Sequence, residues 1–328
     1  PEVAPLDVLA ITEELGRHDG STAWCVQVSN AVQPLLGSID PVEGQYMVDR
    51  SGDLRMAGSA RPLGEAHRVD GGYLFSGRWD FASNVNQANW FMGAAWLVDP
   101  KRSPDKPPRS VSAYIPVSEG QIVSTWDVMG MRGTGSDDFV LDNVFVPEGR
   151  VAAGRFQRLR TERMYHPRLA MTVTWAPTTG VSLGMARGAI ETLHGAGDRK
   201  SSGSPQALRE RREVQAAAGE ADVIVQAARA LVIDALGTVW DQGGHRDGPT
   251  DIVVARSLMA ISHAIRECGR AIDIVFHAAG TNAVSTGLRL ERFLRDSHTA
   301  LQHVSGSKNQ IEVGGRVLLG LPAEHPYF

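Results

Sequence analysis

Cysteine is nearly absent from this chain, because Cys25 and Cys268 are the only two in 328 residues. Two thiols cannot build a disulfide framework or a zinc ligand set, so we expect a protein of the reducing cytoplasm with no metal site. The sequence also lacks a Lys/Arg-rich run of the kind that follows a phosphate backbone, and its formal net charge is -4. We therefore expect no nucleic acid partner.

Long apolar runs are missing as well. The most apolar stretch, residues 90–98, has about half the length that a bilayer-spanning helix needs. The first residues contain no basic segment followed by the apolar core of a signal peptide. We therefore expect neither a membrane partner nor export. Because a helical pattern is already under way close to Pro1, we expect further residues ahead of it in the complete protein.

What is present is an ordinary globular composition, 42% hydrophobic and 21% charged, at a length that predicts two or three domains. Residues 1–52 show helical spacing of apolar side chains, and residues 53–153 contain short strand-like runs separated by turns. Residues 154–328 contain long segments whose apolar residues follow a 3.6-residue period. This segregated order predicts an α+β fold with N-terminal helices, a central β-domain and a C-terminal four-helix bundle.

Individual elements can be predicted from the same patterns. In the β-domain, Asp70-Gly71-Gly72 predicts a hairpin turn. Strands are expected at residues 90–98, 111–115 and 139–146, and the bundle helices at residues 172–194, 205–240, 251–279 and 288–304.

Common chemical signatures are largely excluded. The glycine-rich segment 130–136 lacks the lysine of a phosphate-binding loop and does not run from a strand into a helix. It is either a structural turn or a nest of backbone N–H groups beside a ligand. The segment 77–84, taken alone, predicts core and turn. His298 and His303 are five residues apart, which on a helix turns them too far from each other to bind one metal ion.

Taken together, the order of the segments and their motifs resemble the acyl-CoA dehydrogenase superfamily across essentially the whole chain. The resemblance is carried by two β-domain motifs and by the last bundle helix. The matching stretches are Ala57-Gly58-Ser59, residues 62–64, residues 71–73, Gly77-Arg78-Trp79-Asp80-Phe81-Ala82-Ser83, residues 126–136, residues 144–147 and residues 290–296 with His303.

The residues near position 304 separate the chemistries within this superfamily. Many dehydrogenases carry there the glutamate that removes a substrate α-proton, but this chain has Val304, which cannot accept a proton, preceded by His303. A histidine at this place resembles the oxygenase components of two-component flavin monooxygenases. The resemblance implies a cytoplasmic homotetramer that receives reduced FMN or FAD from a separate NAD(P)H-dependent reductase. With O2 it would hydroxylate a small aromatic, polyketide or amine substrate.

The resemblance also implies roles for individual residues. Ser83 would hydrogen-bond flavin N5, and His303 would accept a proton from a phenol or amine, for which an ordinary pKa of about 6.5 leaves the neutral ring available near pH 7. Asn30 stands where some relatives have a second active-site histidine, and it can hydrogen-bond but cannot act as a base. The implied cofactor contacts are Trp79, Phe81, Ala82, Ser83, Arg132, Gly133, Thr134 and Ser136.

Two other readings stay open from the sequence. One is an acyl-CoA dehydrogenase or oxidase with tightly bound FAD and a base elsewhere in the bundle. The other is a non-catalytic subunit of a hetero-oligomer that supplies structure only. Separately, His303 could have no role in the reaction and only fill a polar niche in the last bundle helix.

Overall fold

The computed structural model describes residues 3–100, 102–103, 105, 107–153, 162–200 and 204–324. The chain divides into two compact units. The helical unit consists of Pro1–Gln27, Val128–Gly133 and Met171–Phe328, and the sheet unit consists of Val28–Asp127 and Thr134–Ala170. Both units are therefore built from segments that are separated along the chain. The division into residues 1–52, 53–153 and 154–328 stays a prediction about order along the sequence.

The helices and strands follow the predicted order of helices, strands and helices. The helices are α1 (Pro5–His18), α2 (Gly20–Val32), α3 (Pro41–Ser51), α4 (Ala170–Gly195), α5 (Arg212–Gly243), α6 (Asp251–Ala279), α7 (Leu290–Ala300) and α8 (Asn309–Leu318). The strands are β1 (Met56–Val69), β2 (Gly72–Trp79), β3 (Trp90–Val98), β4 (Ser110–Pro116), β5 (Gln121–Val123), β6 (Asp138–Pro147) and β7 (Val151–Ala153). The α+β fold class is confirmed.

The strands form one mixed sheet in the order β5-β6-β2-β1-β3-β4-β7. β1 pairs with β3 in parallel, and the other neighbours are antiparallel. β1 and β2 are joined by the predicted hairpin, in which Val69 pairs with Gly72 across a two-residue turn. Gly71 adopts φ +75° there, a conformation that glycine reaches without a steric penalty. The strand predicted at residues 90–98 is confirmed, and the other two lie inside β4 and β6.

Large aromatic side chains fill the core of the sheet unit. The ring of Phe91 lies 5.8 Å from that of Trp79 and 4.4 Å from that of Phe139 between centroids, and all three are fully buried. A second cluster packs Met47 of α3 with Met56 and Tyr114 of the sheet. These close-packed contacts hold the strands, and so the ends of the loops that connect them, in fixed positions.

The helical unit packs its helices along apolar stripes. α1 buries Leu9, Thr12, Glu13 and Gly16, which recur at the spacing of one helix face. The buried carboxylate of Glu13 accepts from Arg187 of α4 at 2.8 Å and forms an ion pair with Arg229 of α5 at 3.0 Å. One buried acid therefore links three helices of this unit.

One described helix, α5, is long and apolar enough to cross a membrane by length and composition alone. A single helix of this kind is weak support for a membrane span. Its buried residues, among them Val214, Val225, Val232 and Val239, repeat at the seven- to eleven-residue intervals of one helix face. That pattern is typical of a bundle helix with one buried stripe.

The C-terminal part of the bundle differs from the sequence prediction. The helix predicted over residues 288–304 ends at Ala300, and α8, which was not predicted, follows it. Two adjacent glycines lower the intrinsic helix propensity of the α8 segment. Packing demands a small residue at the first of them, because a Cβ atom on Gly314 would lie 2.3 Å from the sulfur of Met259.

Candidate active site

Two loops of the sheet unit, residues 80–89 after β2 and residues 134–137 before β6, are tied together by backbone hydrogen bonds. The amide of Ala82 donates to the carbonyl of Asp137 at 3.1 Å, and that of Asn84 donates to the carbonyl of Thr134 at 3.0 Å. The side chain of Asn86 donates to the Asp137 carboxylate at 2.7 Å, which is the main reason why the pKa of Asp137 lies below its ordinary value. This carboxylate therefore stays ionised and holds the two loops together.

A chain of three hydroxyl groups lies between these loops. The oxygen of Ser136 is 2.7 Å from that of Ser83 and 2.7 Å from that of Thr134. All three residues are buried, with at most 8% of their surface exposed. Each hydroxyl can donate one hydrogen bond and accept others, so the orientation of one proton in the chain fixes the orientation of the next. The structure thus brings together three of the residues implied as cofactor contacts.

The other predicted cofactor contacts at the end of β2 and in the loop that follows it have different environments. Trp79 is fully buried in the sheet core and its indole N–H donates to the carbonyl of Ala94 at 2.7 Å. The Trp79 side chain thus packs in the sheet core, and its contact with a cofactor stays a prediction. Ala82 is also fully buried, whereas Phe81 has φ +54° and is 63% exposed. Its ring meets that of Trp126 edge-on with the centroids 5.9 Å apart.

Arg132 and Gly133 belong to the helical unit, where the segment Val128–Gly133 is held against α7. The buried carboxylate of Asp296 accepts from the amide of Met131 at 2.5 Å, and Arg295 donates to the carbonyl of Met129. Burial raises the pKa of Asp296, and the bond from Met131 opposes that shift. Both Arg132 and Gly133 are exposed, so the segment is anchored at one side and accessible at the other.

His303 lies just beyond α7 rather than on it. Its backbone is extended, with φ -66° and ψ 146°, and it caps the short helical turn Val304–Gly306. Nδ1 of the ring accepts from the amide of Ser305 at 3.3 Å and lies 2.7 Å from the Ser305 hydroxyl oxygen. The imidazole meets the ring of Trp24 edge-on at 5.3 Å between centroids. These contacts fix the orientation of the ring.

The environment of His303 favours the neutral ring. The residue keeps part of its surface exposed, but burial of the imidazole lowers its pKa to about 4. The ordinary pKa expected from the sequence is thus corrected downwards, because an imidazolium loses its hydration there. The neighbouring Val304 is 51% exposed, and Asn30, in the sheet unit, is exposed on α2.

Sequence reasoning missed Ser305 as a partner of His303. The signal was present as a serine two residues after the histidine, but His303 was placed on a helix that continues to residue 304, where this cap cannot form. Trp24 was missed as well, since a long separation in sequence gives no sign that it packs on His303.

In the part of the chain that the structure describes, there is little support for a metal site or for a nucleophilic cysteine. No group of three His, Cys, Asp or Glu side chains there could hold a metal ion. Neither Cys25 nor Cys268 forms a disulfide, and burial raises the pKa of Cys25 to about 11 and raises that of Cys268 as well. Neither thiol is poised as a nucleophile near neutral pH.

Comparison with known proteins gives one family. Residues 178–308 match the family model described as the C-terminal domain of acyl-CoA dehydrogenase. The chain is 30% identical over 343 aligned positions to the oxygenase component of the FADH2-dependent resorcinol hydroxylase of a Rhizobium species. That alignment covers 96% of this chain and 80% of the relative.

Solved structures share the fold over nearly the whole chain. XiaF from a Streptomyces species, in complex with FADH2 and glycerol, superimposes with a TM-score of 0.90 at 23% identity, covering 100% of this chain and 84% of that protein. FMN-bound TdsC from a Paenibacillus species gives a TM-score of 0.81 at 21% identity, covering 99% of this chain and 86% of that protein.

Proposed function

Because this chain belongs to the oxygenase components of two-component flavin-dependent monooxygenases, which have the acyl-CoA dehydrogenase fold, we propose that it hydroxylates a small aromatic substrate. The chain is an oxidoreductase that uses reduced flavin and O2. The proposal for the substrate class follows the resorcinol hydroxylase relative, whose substrate is a phenol. A ring bearing a hydroxyl or amino group is electron-rich and reacts with an electrophilic oxygen atom.

The hydroxyl chain in the sheet unit is the observation that supports this proposal most directly. Reduced flavin, when bound, reacts with O2 and supplies one oxygen atom to the substrate. N5 of a reduced flavin carries a hydrogen, so the residue beside it must offer an acceptor. The Ser83 oxygen can accept this hydrogen because its own proton can be donated to Ser136, 2.7 Å away. The hydroxyl groups present therefore fit the reduced cofactor, because Ser83 can act as the acceptor.

Other residues have proposed roles outside this chain of hydroxyl groups. The exposed ring of Phe81 and the exposed Arg132 and Gly133 are available to the flavin and to its phosphate. Arg132 contributes a guanidinium, and Gly133 leaves the backbone open to close approach. Asn30 can donate or accept a hydrogen bond from α2. His303 is proposed to contact the hydroxyl or amino group that activates the substrate ring.

The replacement of glutamate by Val304 speaks against dehydrogenation of an acyl thioester. A valine side chain has no group that can remove an α-proton, and the neighbouring His303 has a lowered pKa. We therefore place this chain with the monooxygenases rather than with the dehydrogenases or oxidases that hold FAD tightly.

A separate flavin reductase is the expected protein partner, because an oxygenase component receives its flavin already reduced. We propose that this reductase uses NADH or NADPH, that the oxygenase is a homotetramer and that both act in the cytoplasm. The near absence of cysteine fits a reducing compartment.

The test uses the purified chain with photoreduced FMN or FAD, mixed under stopped flow with oxygenated buffer. We expect an oxidation course that differs from that of free reduced flavin, and product from a phenol such as resorcinol. With NADH, free flavin and no reductase, we expect no substrate-dependent NADH consumption. Stoichiometric yellow FAD that is bleached by an acyl-CoA would overturn the proposal, and so would robust NADH oxidation by the chain alone.

A further inference from the structure

The turn that follows α7 determines the protonation pattern of His303. A neutral imidazole has one nitrogen that carries a hydrogen and one that carries a lone pair. The backbone amide of Ser305 can only donate, and its acceptor, 3.3 Å away, is Nδ1 of His303. Nδ1 must therefore hold the lone pair, which places the hydrogen on Nε2. The Ser305 hydroxyl, 2.7 Å from Nδ1, then donates to the same atom.

The turn cannot easily reorganise to release Nδ1. Ser305 is fully buried, and the carbonyl of Ser307 accepts from the Ser262 hydroxyl of α6 at 2.9 Å. Gly306 packs closely, since a Cβ atom there would lie 3.1 Å from the side chain of Ile265. Trp24 contacts the ring itself. Because the backbone of residues 305–307 is held to α6, the Ser305 amide stays directed at the histidine.

From this geometry we infer that Ser305 is a positioning residue that holds His303 as the Nε2–H tautomer, so that the histidine offers a hydrogen-bond donor to its substrate rather than a base. To act as a base the ring would have to accept a proton at Nδ1. That nitrogen already receives two hydrogen bonds, and a hydrogen placed on it would face the hydrogen of the Ser305 amide.

The catalytic meaning of this tautomer rests on the proposed function. A donor at Nε2 stabilises the negative charge of a phenolate oxygen, which makes the aromatic ring more electron-rich. The phenol's O–H bond breaks, its proton goes to water and the electron pair stays on the oxygen. The Nε2 hydrogen remains on His303 throughout. The same activation of the substrate that was expected from a base is thus obtained without proton transfer to the histidine.

The tautomer can be measured in the full-length protein without flavin or substrate. Histidine labelled with ¹⁵N distinguishes a protonated ring nitrogen from an unprotonated one in a two-bond proton–nitrogen correlation spectrum, and the His303→Gln variant identifies the signals. Near pH 7 we expect the His303 pattern of Nδ1 unprotonated and Nε2 protonated. A protonated Nδ1, or an imidazolium, would overturn the inference.

Two substitutions of Ser305 then distinguish the effect of losing its hydroxyl group from the effect of a general change of fold. Ser305→Ala keeps the backbone amide but loses the second donor, so we expect the Nδ1 signal to move toward that of a nitrogen with fewer hydrogen bonds. Ser305→Thr should restore it. His298, which pairs with Asp273 at 2.9 Å, should be unchanged in both and is the internal control. An identical Nδ1 signal in wild type and Ser305→Ala would remove the hydroxyl from the assignment.

The same spectra distinguish this inference from the proposed function. A wrong tautomer with normal hydroxylation would leave the function standing and overturn only the role of Ser305. The expected tautomer in a chain that does not react reduced flavin with O2 would overturn the proposed function alone.

Discussion

The hydroxyl oxygen of Ser136 lies 2.7 Å from that of Ser83, although 53 positions separate the two residues in sequence. The distance is kept by the paired loops after β2 and before β6, not by either serine alone. The hydrogen bond from the neighbouring loop can therefore decide what Ser83 offers to the cofactor.

Removing the Ser136 hydroxyl should increase the share of O2 that the protein releases as hydrogen peroxide instead of transferring to substrate. In Ser136→Ala the Ser83 hydroxyl loses an acceptor worth about 0.5–1.5 kcal/mol, so we expect hydrogen peroxide release without substrate to rise about three- to tenfold. A lower melting temperature of the flavin-free protein should accompany it. Peroxide is measured with reduced flavin in oxygenated buffer, with Ser112→Ala as the control variant of the same sheet. Release equal to that of wild type would exclude Ser136 from this role.

Replacing His303 separates a donor from a base. Glutamine keeps a side-chain N–H but cannot take up a proton, whereas leucine offers neither. We expect His303→Gln to couple reduced flavin to product within about tenfold of wild type, and His303→Leu to lose about 10²-fold. The measurement is the ratio of hydroxylated product to peroxide, with melting temperatures to check folding. Equal losses in both variants would favour proton acceptance by His303.

The lowered pKa of His303 predicts a loss of stability in acid. The unfolded chain binds a proton to this histidine at a pKa of about 6.5, and the folded protein only at about 4. The unfolded state therefore binds more protons between these values, so the stabilising contribution is complete above pH 6.5 and is lost as pH falls towards 4. Urea unfolding from pH 7 to pH 4 should be less pH-dependent in His303→Gln than in wild type. Parallel pH profiles for the two proteins would contradict this assignment.

The buried acid of α1 should matter for stability more than its exposed neighbour. Glu13→Gln leaves Arg187 and Arg229 without their shared carboxylate, and both guanidinium groups keep partial access to water. We expect a loss of about 1–3 kcal/mol in the free energy of unfolding, below the range for fully buried pairs. Glu14→Gln, which removes a surface pair with Arg17, should cost clearly less. Urea unfolding of both variants provides the comparison, and equal losses would contradict the prediction.

Much of the fold was predictable because periodicity and turn chemistry are local. The hairpin at Gly71 and the strand at residues 90–98 follow from a few neighbouring residues. The end of α7 did not follow, because His303 continues the helical spacing and only its cap on Ser305 shows that the helix has ended. α8 was hidden by two adjacent glycines, of which Gly314 is required by close packing against Met259 of another helix.

The candidate site also has features that the sequence predicts and features that it does not. Ser83 and His303 were found through a resemblance of motifs, since residue type and position carry that information. Burial does not leave such a trace in the sequence, so the pKa of His303 was taken for an ordinary one. The link between Ser83 and Ser136 also needs the register of two loops, which sequence spacing alone does not provide.

The arrangement of the helical unit has a consequence for synthesis. Its first segment, which ends at Gln27, leaves the ribosome long before the segment that begins at Met171. α1 therefore has to wait for partners such as Arg187 and Arg229 while its apolar face and Glu13 remain uncovered. Since domains fold as units during translation, the sheet unit is the first that can be completed. The apolar face of α1 therefore stays exposed in the nascent chain until α4 and α5 have been synthesised.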